Sequence, residues 1–105
     1  MIEKWDAETF EKRISDRERE TTVVEFYTDW CPTCKTMSVL LDRAAKDFRE
    51  VAFGCVNVEE EKGLLEAYHI RTVPTLMVFR RGRSVAESVG AVNQARLEEL
   101  IRNTL

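Results

Sequence analysis

Three stretches rich in β-branched and aromatic residues, TVVEFYT (22–28), VAFGCVNV (51–58) and TLMVF (75–79), are separated by segments whose apolar residues recur at helical spacing. A chain that alternates strands with helices in this way is constrained to a central sheet covered by helices on both faces. Its 105 residues suit one domain, residues 1–105. An apolar content of 44% is enough for a modest core.

The boundaries come from local signals. Asp6 is placed to cap a first helix, with Trp5 and Phe10 at hydrophobic-staple positions and Phe10 and Ile14 as its buried stripe. DRERE (16–20) reads as a solvated helix end. Met37, Leu40, Leu41, Ala44, Ala45 and Phe48 form an apolar face sustained over three turns, opposite Asp42, Arg43, Lys46 and Asp47. Leu64, Leu65 and Tyr68 repeat that spacing within 59–68. RRGR (80–83) is a turn in which Gly82 is free to take positive φ. SVAESVG (84–90) alternates like an edge strand, and Asn93 caps a last helix that turns Leu97, Leu100 and Ile101 inward. With a weak strand near residues 2–5, the order is β-α-β-α-β-α-β-β-α.

Charge narrows the function. Sixteen basic and 19 acidic residues give a formal net charge of −3, which argues against nucleic acid as a partner. No apolar run approaches the roughly 20 residues that span a bilayer, so no membrane partner is expected. The N-terminus, MIEKWDAETFEKRIS, lacks the apolar stretch of a secretory signal, and the expected location is the cytoplasm. Three cysteines, Cys31, Cys34 and Cys55, are too few and too odd a number for a disulfide-stapled secreted scaffold.

The chemistry concentrates in TDWCPTCKTM (28–37). Cys31 falls where a strand ends and the longest helix begins. Pro32 fits the first helical turn, where its missing N–H costs nothing, and the residue before a proline avoids helical angles, so Cys31 is the expected cap. Free backbone N–H groups and the helix dipole there favour thiolate over thiol. Lowering a cysteine pKa from about 8.5 to about 7 raises the thiolate fraction at pH 7 about fifteen-fold. The accompanying loss of nucleophilicity leaves only about three-fold net. Proximity of the second thiol contributes more, because Cys34, one turn along, attacks a mixed disulfide intramolecularly. Cys31 is therefore the expected attacker, at an exposed helix tip, and Cys34 the resolver inside the first turn.

Over roughly residues 3–105 the chain resembles the thioredoxin family. VVEFYTDWCPTCK is similar to the family's strand, active-site Trp, CxxC and following Lys. IRTVPT (70–75) resembles its valine–cis-proline segment, TLMVFRRGR its next strand and hairpin turn, and SVGA (88–91) its glycine beside the active site. The resemblance implies an α/β thioredoxin fold with a central mixed sheet of four to five strands. It implies a cis bond before Pro74, beside the two sulfurs. It also implies a shallow substrate surface of Trp30, Val73, Pro74, Val89 and Gly90, where the backbone near Val73 pairs with an extended chain. Disulfide-containing proteins are the implied partners. A separate reductase, a flavoenzyme drawing on NADPH or a ferredoxin-linked enzyme, is the implied electron source. No bound cofactor or metal is expected beyond the Cys31–Cys34 couple, and the protein is expected to be a monomer.

The chain departs from the family at several positions. Pro32-Thr33 replaces Gly-Pro between the cysteines, a change expected to make the couple less reducing. Glu25 stands for the buried aspartate, expected to accept the Cys34 proton through water. Cys55 stands where a lysine often accompanies that acid, so desolvation should raise the Glu25 pKa. Cys55 itself reads as an inert strand residue. His69 replaces a glycine after a helix and reads as a helix-end residue at positive φ. Tyr27, in place of a frequent Trp, is expected to matter little.

The expected function is a protein disulfide oxidoreductase working by thiol–disulfide exchange, most simply a reductase. Its rival is an oxidase or isomerase of the same fold, favoured by Pro32 and disfavoured by Glu25. A non-catalytic interaction domain of this fold would usually have lost one cysteine. A zinc module would need four ligands, and only Cys55 and His69 remain to complete the set.

Overall fold

In a computed structural model, residues 2–16 and 19–105 are described. The elements run β1 (Glu3–Lys4), α1 (Ala7–Ile14), β2 (Thr21–Tyr27), α2 (Pro32–Asp47), β3 (Ala52–Asn57), α3 (Lys62–Ala67), β4 (Thr75–Arg80), β5 (Arg83–Val89) and α4 (Gln94–Arg102). Among the described residues the strands form one mixed sheet in the order β1-β3-β2-β4-β5. β1 and β2 flank β3 in parallel, while β4 and β5 join antiparallel. Within the charge run at 16–20, Arg17 and Glu18 lie outside the described residues.

The sheet separates two cores. On one face, Phe10 and Ile14 of α1 and Leu64 of α3 pack with Trp5, Val24, Phe26, Val56, Met77 and Phe79. On the other, Met37, Leu41 and Ala44 of α2 and Leu97 and Ile101 of α4 pack with Val23, Leu76 and Val78. The period-2 alternation of β2 decides which side chain joins which core. Val24 and Phe26 point one way; Val23 and Glu25 point to α2.

Capping explains where the helices start and stop. Asp6 accepts from the Thr9 N–H at 2.8 Å, and Asn93 from the Arg96 N–H at 2.8 Å. α3 is shorter than its apolar pattern suggests, because Asn57 Oδ1 accepts from the N–H groups of Glu59 and Glu60 and turns the chain first. His69, at φ 55°, closes α3 with a Schellman pair, Ile70 N–H to Leu65 O and His69 N–H to Glu66 O. In the β4–β5 turn Arg81 (φ 53°) and Gly82 (φ 84°) are both left-handed, as a two-residue hairpin of this hand requires. Arg81 is held there by its N–H on Glu20 O and its guanidinium on Glu20 Oε1.

β1 has only two residues, both exposed, yet it is anchored by Trp5, whose N–H donates to Cys55 O at 2.8 Å. The indole lies against Gly54, in the space a Cβ would occupy. One expectation is corrected: Asp42, placed on the face of α2 opposite its apolar stripe, is half-buried, because it lines a concavity shared with Ile2, Arg49 and Phe53.

Candidate active site

β2 ends at Tyr27, and a turn with Cys31 N–H on Thr28 O leads into α2. Cys31 is the N-cap of α2, extended at φ −101° and ψ 103°, and Pro32 opens the first turn. The Cys31 Sγ accepts from the Cys34 N–H at 3.1 Å. Thr33 Oγ1 lies 3.3 Å from the same sulfur. Cys31 and Cys34 form a disulfide, with their Cα atoms 5.2 Å apart.

Cys31 is not the exposed tip residue that the sequence implied. It is 3% exposed and Cys34 2%. Its sulfur lies back against the first turn of α2, bonded to Cys34 and accepting from the Cys34 N–H.

Trp30, by contrast, is 69% exposed, and its Nε1 donates to Glu59 Oε1 at 3.2 Å. The Val73–Pro74 bond is cis. In the β2–β4 register Thr75 faces Phe26, so Pro74 sits at the end of the sheet from which the Thr28–Cys31 turn departs. Gly90 N–H donates to Pro74 O at 2.8 Å, with Gly90 at φ 88°, and Val89, 60% exposed, pairs across from Thr75. Val73 is half-buried. Trp30, Pro74, Val89 and Gly90 thus gather at one end of the sheet, and two concavities lie elsewhere. One is lined by Ser15, Asp16, Glu20 and Arg81, another by residues including Arg19, Lys46 and Arg49.

On the side of β2 that faces α2, Glu25 has no exposed surface. Burial pushes its carboxyl up to about 7, and a hydrogen bond from Ser38 partly offsets this. Ser38 Oγ donates to Glu25 Oε1 at 2.7 Å, while the buried Oε2 has no hydrogen-bond partner among the described residues. Cys55 faces Glu25 in the β2–β3 register. Burial, followed by the nearby Glu25 charge, pushes the Cys55 thiol up to about 11, which favours the thiol over the nucleophilic thiolate. His69 is far along the chain from this site, at the end of α3. Among the described residues no group of three or more His, Cys, Asp or Glu side chains is arranged to hold a metal.

Sequence reasoning missed Ser38, Glu59 and the Thr33 hydroxyl. Only Ser38 carried a signal: a polar residue four positions after Cys34, on the side of α2 that also carries buried Leu41.

A strand that delivers a capping cysteine to a helix tip, with its partner bonded to it one turn in, defines a dithiol–disulfide exchanger. The chain belongs to the thioredoxin family, whose profile matches residues 1–103. It is 31% identical over 102 residues to a thioredoxin of Buchnera aphidicola, covering 96% of this chain and 93% of that one. To a thioredoxin of Echinococcus granulosus it is 32% identical over 102 residues, covering 97% and 92%. Plasmodium falciparum thioredoxin superposes with a TM-score of 0.89 at 28% identity, covering 99% of this chain and 100% of that one. Fasciola hepatica thioredoxin gives 0.88 at 27%, covering 97% and 98%. The fold is the α/β thioredoxin fold, and the activity is thiol–disulfide oxidoreduction with the cysteine couple as its own redox group. Members of the family exchange with disulfide-bearing partners and are recharged by a reductase.

Proposed function

We propose that the protein, acting as one domain over residues 1–105, reduces disulfides in other proteins. The observation that carries this reading is the Cys34 N–H aimed at Cys31 Sγ at the start of α2. In the reduced form that donor, with the helix dipole, favours a Cys31 thiolate. The thiolate attacks one sulfur of the substrate disulfide. A Cys31–substrate bond forms, and the other substrate sulfur leaves as a thiolate and takes a proton from solvent. Cys34 then gives its proton to Glu25 and attacks Cys31 Sγ. The Cys31–Cys34 bond forms, the mixed disulfide breaks, and the second substrate sulfur departs with its electron pair. The substrate has gained two electrons and the protein has lost two.

Trp30, Val73, Pro74, Val89 and Gly90 form the docking surface in this reading, supported by their shared position at one end of the sheet. The protein acts as a cytoplasmic monomer that carries electrons from a flavin- or ferredoxin-linked reductase to its substrates. No helix among the described residues is long and apolar enough to cross a membrane. Thr33 supports a couple less reducing than one with a proline at that position, because its hydroxyl reaches the Cys31 sulfur.

The test is reduction of insulin by dithiothreitol. Cys31→Ser abolishes catalysis, and Cys34→Ser accumulates a covalent mixed disulfide with the substrate. Full activity in Cys31→Ser would overturn the assignment.

A further inference from the structure

The Glu25 carboxylate is held unevenly. Oε1 accepts a short bond from Ser38, whereas Oε2 is buried with no hydrogen-bond partner among the described residues. Ser38 lies one helical turn beyond Cys34 on the same side of α2, so a single helix face presents both the proton donor and the hydroxyl that holds the acceptor. The unsatisfied oxygen of a desolvated carboxylate is the more basic of the two. We propose that Ser38 is a positioning residue for the exchange reaction: its hydroxyl fixes Glu25 Oε1 and leaves Oε2 as the oxygen that takes the Cys34 proton. This rests on the reading of Glu25 as proton acceptor.

The other groups around Glu25 do not substitute for Ser38. From β3 comes Cys55, whose thiol stays protonated. From β4 the facing residue is Leu76, and α4 presents Leu97 and Ile101 to the core on the same face of the sheet, all apolar. From β1, Lys4 lies beside Cys55 in register, but its ammonium is paired with Glu60 at 2.7 Å. Asp42, one turn further along α2, adds negative charge to the same region, as its effect on Cys55 indicates. Ser38 is thus the group that favours the ionised form of Glu25.

The experiment mixes reduced protein with one equivalent of the chromogenic disulfide dithiobis(nitrobenzoate) and follows thiolate release across pH. The first phase reports Cys31 and the second Cys34. Ser38→Ala keeps a strong helix former at the position, so the variant folds. Its second-phase midpoint moves up by about one pH unit, an about tenfold slower step below the midpoint, with the first phase within about twofold of the parent. The carbon resonance of the Glu25 carboxyl moves with it. Ser38→Thr, which keeps the hydroxyl, holds the parent midpoint. An unmoved midpoint in Ser38→Ala overturns the proposal. Glu25→Gln separates the two levels. If it flattens the second phase while Ser38→Ala shifts nothing, only the role of Ser38 fails. If it keeps the parent profile, the acceptor reading fails and takes Ser38 with it.

Discussion

The two faces of the sheet are built to different rules. The α1/α3 face is closed by aromatic rings: Phe10 meets Phe26, Phe79 and Tyr68 edge-on, with centroids 5.4 to 6.1 Å apart. The α2/α4 face is mainly aliphatic beside Phe48 and carries a polar inclusion, Glu25, Ser38 and Cys55, with Ser38 one helical turn beyond Cys34. Both faces hang from the same central strands, so stability and chemistry are divided by the alternation of side chains along β2.

Deleting a ring from the aromatic face should have the largest effect. Phe10→Ala costs about 4 kcal/mol, measured as a lowered urea midpoint, because Phe10 is fully buried and touches three other rings. The rate of insulin reduction by the remaining folded protein is unchanged. A matching loss of specific activity would break the division between the faces.

Next comes Glu25→Gln, which acts in the opposite direction. A carboxyl whose pKa rises from 4.5 unfolded to about 7 folded binds more protons in the native state between those values. Its contribution to stability is full below pH 4.5 and is lost as pH rises through 7. The difference is about 3 kcal/mol. Asp6 and Glu20, held low by the Thr9 N–H and by Arg81, lose their contributions only as pH falls, so they leave this window to Glu25. Glu25→Gln should therefore match the parent near pH 4.5 and exceed it by about that amount at pH 8.5, read from urea unfolding at the two pH values. Equal slopes for the two proteins would mean that Glu25 is not a buried, proton-holding group.

The smallest change expected is at Thr33. Its hydroxyl bonds more strongly to a thiolate than to a disulfide sulfur, so Thr33→Val destabilises the reduced form. The potential becomes more reducing by about 20 mV, measured by equilibrium with glutathione. A shift toward the oxidising side would remove the hydroxyl from the account of this couple.

Much of this was legible in the residues because the signals are local. Asp6, Asn93 and the Cys31-Pro32 step marked helix starts through hydrogen bonds that close within three residues. His69 and Gly82 marked positive φ for the same reason. What was hidden depends on contacts between distant segments. Ser38 matters because α2 lays it over β2, 13 residues away in sequence, and nothing near position 38 encodes that crossing. Asp42 looked solvated for want of the same information. The burial of Cys31 follows from how its sulfur lies back on the first turn of α2, bonded to Cys34, which the spacing of the two cysteines does not state.

Gly54 has a reach beyond its own position. The Trp5 indole fills the place of its absent side chain and so pins a two-residue strand onto β3. Any larger residue there would prise the tryptophan away and peel off β1. The outer rim of β3 would then present naked amide and carbonyl groups to solvent, an open template onto which other chains could stack. A lone hydrogen atom at position 54 thus keeps that rim covered.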